Sequence, residues 1–217
     1  LREITRQTRT LLVIDETHTI CVGPGGYTRA HGLRPDFVTI GKPIGSGIPS
    51  GAYGLSEDVA ERVAAFAGSD EYAGEDANVG GVGGTLVGNT VSLGAIRATL
   101  ESVLTEEAFE RMISLAIRFA DGVEATIRDH VLPGHVTRLG CRTEYRFQPD
   151  PPRNGGQARA ADDPALDRFM HLYALNRGIL LTPFHNMALI SPATTEADVD
   201  RHTEIFAEAI AEVFGLP

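Results

Sequence analysis

Two short apolar runs organise the early part of the chain. Leu11-Leu12-Val13-Ile14 stops at Asp15-Glu16, and Phe37-Val38-Thr39-Ile40 stops at Gly41-Lys42. Unbroken apolar character over four residues, rather than alternation, predicts strands buried on both faces, as in a parallel sheet. The polar residues then fall at the strands' C-terminal ends, where open α/β sheets bind ligands. Between the runs, Gly23-Pro24-Gly25-Gly26, Gly32 and Pro35 predict loop. Ala52–Leu55 reads as a further short strand. Ser56 caps a helix to about Phe66, with Glu57 and Asp58 in its first turn. After a polar, glycine-rich stretch, a helix is expected from about Asn89 to Leu104.

From Thr105 the pattern lengthens. Phe109, Met112, Ile113, Ala116, Phe119, Ala120, Val123 and Ile127 recur at helical spacing, predicting one long amphipathic helix that bridges two lobes. Val136–Leu139 and Thr143–Phe147 read as strands of a smaller α+β unit. Residues 149–163 read as an exposed loop. Asp163-Pro164 starts a helix with Leu166, Phe169, Met170 and Tyr173 on its buried stripe, ended by Gly178. Ile179–Thr182 and Met187–Ser191 are strand candidates. Thr195–Asp198 is a capping box opening a last helix that buries Val199, Phe206, Ala209, Ile210 and Val213.

The 217 residues are 42% hydrophobic and 22% charged, which is globular composition. A net charge of −10, with no cluster of basic residues, argues against nucleic acid as partner. No apolar run approaches the roughly 18 residues of a membrane span. The two cysteines make no disulfide framework, which favours a cytoplasmic protein. The opening residues 1–8 read as the end of a helix already under way, the mark of a C-terminal fragment.

Lys42 is the only lysine. Beside glycines it reads either as a solvated turn residue or as an amine that condenses with a carbonyl group; Gly41, Gly45 and Gly47 let backbone approach a flat ligand. Asp15 reads as a strand-end helix cap or as a partner for a cationic ring. Gly80–Thr85 is either a plain loop or an anion-binding nest with the Thr85 hydroxyl added. Arg138, Arg142 and Arg146 suit surface ion pairs or a carboxylate ligand. His18, Cys21 and His185 do not have zinc spacing, so no metal is expected. His130, His135, His171 and His202 read as surface or helix-end residues.

Three segments together carry a resemblance: Leu12-Val-Ile-Asp15-Glu-Thr-His-Thr19, His31-Gly-Leu-Arg-Pro-Asp-Phe-Val-Thr-Ile-Gly-Lys42-Pro-Ile-Gly-Ser-Gly-Ile-Pro-Ser-Gly-Ala-Tyr-Gly54, and Gly84-Thr-Leu-Val-Gly-Asn89. In order and in detail they resemble the class III aminotransferases, especially the branch containing glutamate-1-semialdehyde 2,1-aminomutase. The resemblance implies an α/β protein of the PLP-dependent transferase fold type I. Residues 1–104 would be the C-terminal part of the large cofactor-binding domain, and 105–217 the α+β small domain. It implies pyridoxal 5′-phosphate (PLP) as cofactor. Asp15 would pair with the ring nitrogen, Lys42 would form the internal aldimine and move protons, and His18 would lie near the 3′-oxygen. Thr85 would bind the phosphate from the neighbouring subunit of a homodimer. Small-molecule amino donors and keto or aldehyde acceptors would be the partners.

One departure bears on the reaction. Where the aminomutase branch has a Phe-Glu-Ala-Gly-type segment, this chain has Thr182-Pro-Phe-His-Asn-Met-Ala-Leu189, without a carboxylate. The sequence therefore leads to a PLP-dependent aminotransferase. A 2,1-aminomutase is the second reading, and a truncated, non-catalytic binding or dimerisation module the third. The segments that stack on the ring and hold most of the phosphate in this family have no counterpart in the chain. The isolated 217 residues are accordingly expected to bind PLP poorly and to be inactive, with an apolar face exposed near Asp15.

Overall fold

The structure is a computed structural model that describes residues 1–67, 86–182 and 185–215. The chain divides into two compact units, Leu1–Thr105 and Glu106–Pro217.

The first unit is built on a three-stranded sheet in the order β1 (Val13–Asp15), β2 (Phe37–Ile40), β3 (Ala52–Leu55). β1 and β2 run parallel, with Val13 opposite Phe37 and Asp15 opposite Thr39; β2 and β3 are antiparallel. Helix α1 (Arg2–Gln7) is tied to the start of β2, because Arg2 forks onto Asp36 at 2.6 and 2.8 Å. The amide of Leu12 donates to the same carboxylate at 2.7 Å. These bonds, the Arg2 fork first, pull the Asp36 carboxyl down to about 2. A five-residue helix α2 (Gly26–Ala30) lies between β1 and β2, and α3 (Glu57–Ala67) follows β3. Helix α4 (Thr90–Ser102) opens with Asn89 as its cap, the side chain accepting from the Ser92 amide. Its Ser92 hydroxyl also donates to the Pro49 carbonyl at 3.0 Å.

The strands fall where the apolar runs end, but β1 is not buried on both faces within this chain. It is the edge strand, and Leu11 and Val13 remain 47% and 56% exposed. The expected apolar surface near Asp15 is therefore present.

The second unit packs α5 (Glu106–Asp129) and α8 (Glu196–Phe214) against an antiparallel sheet, β4 (His135–Leu139), β5 (Arg142–Arg146) and β6 (Met187–Leu189). Helix α5 belongs wholly to this unit, so it is not a bridge between lobes. It buries Phe109, Met112, Ala116, Phe119, Ala120, Val123 and Ile127 as predicted, and Leu115 where Ile113, only half-buried, was expected. Helix α7 (Pro164–Leu175) begins at Asp163, whose carboxylate accepts from two amides, and packs on α8. The capping box at Thr195 and Asp198 opens α8.

Four further expectations are corrected. Residues 155–160 form a short helix, α6, capped by Asn154, inside the stretch read as loop. Ile179–Thr182 is not a strand. His202 is not at the surface: it is 4% exposed, with its ring 4.2 Å from that of Phe119. Val213, expected in the core, is exposed.

Candidate active site

The parallel pairing of β1 and β2 brings Asp15 and Lys42 out at the same end of the sheet. Asp15 is the last residue of β1, and Lys42 lies two residues beyond the end of β2. The turn after β1 then carries His18 back over the strand end, and its Nε2 lies 2.8 Å from Lys42 Nζ. The three side chains are exposed, which is what a ligand site before docking requires.

Asp15 is held ready as an anion. The Thr17 hydroxyl and amide, the latter at 2.8 Å, keep its carboxyl below the ordinary carboxylate range against some desolvation. The fields of His18 and Lys42 act in the same direction.

Lys42 starts a 3₁₀ turn, Lys42–Gly45, anchored by the buried Ile44. Its φ is +42°, a left-handed backbone that is uncommon for a residue with a side chain. Pro43 follows, and a proline further disfavours helical backbone at the residue before it. The surroundings over-determine this conformation. The hydroxyls of Ser46 and Thr99 meet at 2.8 Å, fastening the turn to α4. Gly45 packs so closely on Ser50 that a Cβ there would lie 2.8 Å from the Ser50 Cβ. Strain stored at one residue and held by its neighbours is typical of functional positions.

Glu16 is a residue whose importance the sequence did not disclose. It is buried, and its carboxylate accepts from the Thr19 hydroxyl and from the amides of Tyr27 and Thr28 at the start of α2. Burial pushes its carboxyl up, but these hydrogen bonds outweigh that and leave it below its usual range. Gly26 is needed beside it, since a Cβ at that position would collide with the carboxylate. Glu16 thus locks the turn that presents His18. The available signal was an acid at a strand end with a threonine three residues on and Gly25-Gly26 beyond.

Thr85 lies outside the described residues. Arg142 and Arg146 lie in the second unit, where both pair with Glu144, at 2.9 and 3.1 Å; Arg138 is exposed on β4. His185, from the segment without a carboxylate in sequence, stands 3.7 Å from Glu144. That segment therefore has an acid beside it in space. Cys21 and Cys141 are buried thiols. Among the described residues no helix is long and apolar enough to cross a membrane.

Comparison with known proteins places this geometry. A glutamate-1-semialdehyde 2,1-aminomutase of Thermomicrobium roseum is 37% identical over 98% of this chain and 47% of its own length. A solved glutamate-1-semialdehyde-aminomutase from Pseudomonas aeruginosa PAO1, in complex with PMP, is 47% identical, with a TM-score of 0.91 over 97% of this chain and 46% of that one. A β-phenylalanine aminotransferase from Variovorax paradoxus is 28% identical, with a TM-score of 0.79 over all of this chain and 47% of its own. The chain thus spans about half the length of the relatives it matches. Its fold is that of part of a PLP-dependent class III transferase. Residues 1–210 match the class-III aminotransferase family over nearly their whole extent, and the chain belongs to that family.

Proposed function

We propose that the protein carrying this chain transfers amino groups between small molecules with PLP as cofactor. Asp15, Lys42, His18 and Thr85 are the residues of this chain that hold it. The carrying observation is the meeting of Lys42 Nζ with His18 Nε2 at 2.8 Å, electrostatically coupled to Asp15 at the strand end. A flat pyridine bearing an aldehyde needs a carboxylate for its ring nitrogen and a primary amine for its carbonyl carbon. This pair of strand ends supplies both.

When bound, the cofactor supplies an electron sink that lets a Cα–H bond break. Asp15 would hold the ring nitrogen and keep it protonated; its lowered pKa suits the task. Lys42 would hold the aldehyde carbon through Nζ and, once freed by the donor's amine, would carry the proton taken from the substrate Cα. His18 would lie at the 3′-oxygen, and, as the family resemblance implies, Thr85 would hold the phosphate of the neighbouring subunit in a homodimer. A keto or aldehyde acceptor reverses the sequence. The protein is read as cytoplasmic.

The second reading, an intramolecular 2,1-aminomutase, uses the same residues. It is favoured by the names of the relatives at 37% and 47% identity, and by Glu144 beside His185. Amino transfer from a labelled amine donor to an external keto acid separates the two. The first reading predicts transfer, lost more than about a hundredfold in Lys42→Ala. Internal migration without exchange supports the aminomutase. A dimer with no cofactor-dependent reaction of either kind supports a binding module instead.

A further inference from the structure

We propose that His18 is a positioning and proton-holding residue for Lys42. It takes the proton that the lysine must shed before its amine can attack a carbonyl carbon. This rests on reading Lys42 as an imine-forming amine, and gives His18 a role directed at the lysine itself.

Lys42 is constrained at both ends. At the backbone, φ is +42° with Pro43 following, and the turn is pinned by the buried Ile44 and by the contact between Ser46 and Thr99. At the tip, Nζ lies 2.8 Å from His18 Nε2. The His18 ring is itself placed by a turn that Glu16 fastens to α2. The four-carbon stem is thus aimed rather than free.

The chemistry of the two nitrogens fixes what the contact can do. An ammonium offers only N–H donors, so against charged Lys42 the His18 Nε2 must accept, with its proton on Nδ1. If the proton crosses, Nε2 becomes the donor and the amine lone pair the acceptor. One 2.8 Å contact serves both states, and neither side chain has to move. Asp15, held ionised by Thr17, is electrostatically coupled to both partners.

The step balances. Lys42 gives a proton to His18 Nε2, and its freed lone pair forms a C–N bond to an aldehyde carbon. The C=O π electrons pass to oxygen, and one ammonium proton moves to that oxygen. His18 returns its proton to the resulting hydroxyl, the C–O bond breaks, and water leaves. The nitrogen lone pair closes the C=N bond, leaving a protonated imine. Total charge is +1 before and after, and His18 ends as it began.

The test needs neither cofactor nor turnover, because Lys42 is the only lysine. Reductive methylation with formaldehyde and cyanoborohydride reads imine formation at Lys42 by peptide mass. The α-amine of the protein's own N-terminus serves as internal reference. His18→Phe should slow Lys42 labelling on the order of a hundredfold relative to that α-amine near neutral pH, the low end of what loss of a proton acceptor costs. The difference should close at high pH, where amines no longer need an acceptor. His18→Gln, which can orient the lysine but cannot take its proton, should stay slow. His18 is exposed, so both variants should fold, as melting curves will confirm. A Lys42 to N-terminal α-amine ratio within about twofold of wild type in both variants would overturn the proposal, as would full rescue by His18→Gln. If the cofactor assignment alone is wrong, the labelling effect persists while PLP is not trapped at Lys42.

Discussion

His202 shows what one residue contributes. Its imidazole is enclosed by Phe119, Tyr145 and Phe206, with ring centroids 4.2, 6.4 and 6.1 Å away, and among the described residues its Nδ1 has no hydrogen-bond partner. Burial drives its pKa from 6.5 down to about 4. The folded chain therefore keeps it neutral where the unfolded chain would protonate it. Its contribution to stability is complete above about 6.5 and is lost as pH falls toward 4, by up to about 3 kcal/mol. Replacing it with phenylalanine should flatten that acid loss, read as urea midpoints at pH 7 and pH 4.5 that lie closer together than in wild type. An unchanged spacing would show that the titration lies elsewhere. The sequence contained this burial. Val199, His202 and Phe206 share the apolar face of α8, and position on that face, not the polar residue type, decided the outcome.

The segment joining β1 to α2 depends on one carboxylate in the same way. Glu16 satisfies the amides of Tyr27 and Thr28, which would otherwise be left without a partner. Glu16→Ala should cost about 1–3 kcal/mol of stability, the penalty for orphaned buried donors. Glu16→Gln, which keeps one acceptor oxygen, should cost less. Chemical denaturation measures both, and equal losses would mean that bulk rather than acceptance matters. Elsewhere, element legibility followed whether the deciding contact was local. The caps at Asn89, Asp163 and Thr195 are local and were readable. The failed strand at 179–182 was not, because its fate depends on pairing. β5 already has β4 on one edge and β6 on the other. Among the described residues, the one bond from 179–182 toward the sheet is that of the Thr182 amide to the Met187 carbonyl; the Ile179 amide turns back to Ala174. Helix α6 was missed because Gly155-Gly156 reads as loop, although the Asn154 side chain caps Gln157.

At the scale of the molecule, the apolar runs gave the first sheet, and the motif order gave the family. The apolar pattern alone predicted burial; the exposure beside Asp15 was expected only from the family resemblance. A run suited to burial on both faces forms an edge strand here, with Leu11 and Val13 about half exposed beside Asp15. The central claim is that Lys42 is the residue that bonds the cofactor. Incubation of the full-length protein that carries this chain with PLP, borohydride reduction and peptide mapping tests it directly, Lys42 being the only lysine of these 217 residues. The account predicts a reduced phosphopyridoxyl group on the peptide containing Lys42, absent in Lys42→Arg and weakened in Asp15→Asn. Label found only at other amines of that protein, or none at Lys42, would contradict it.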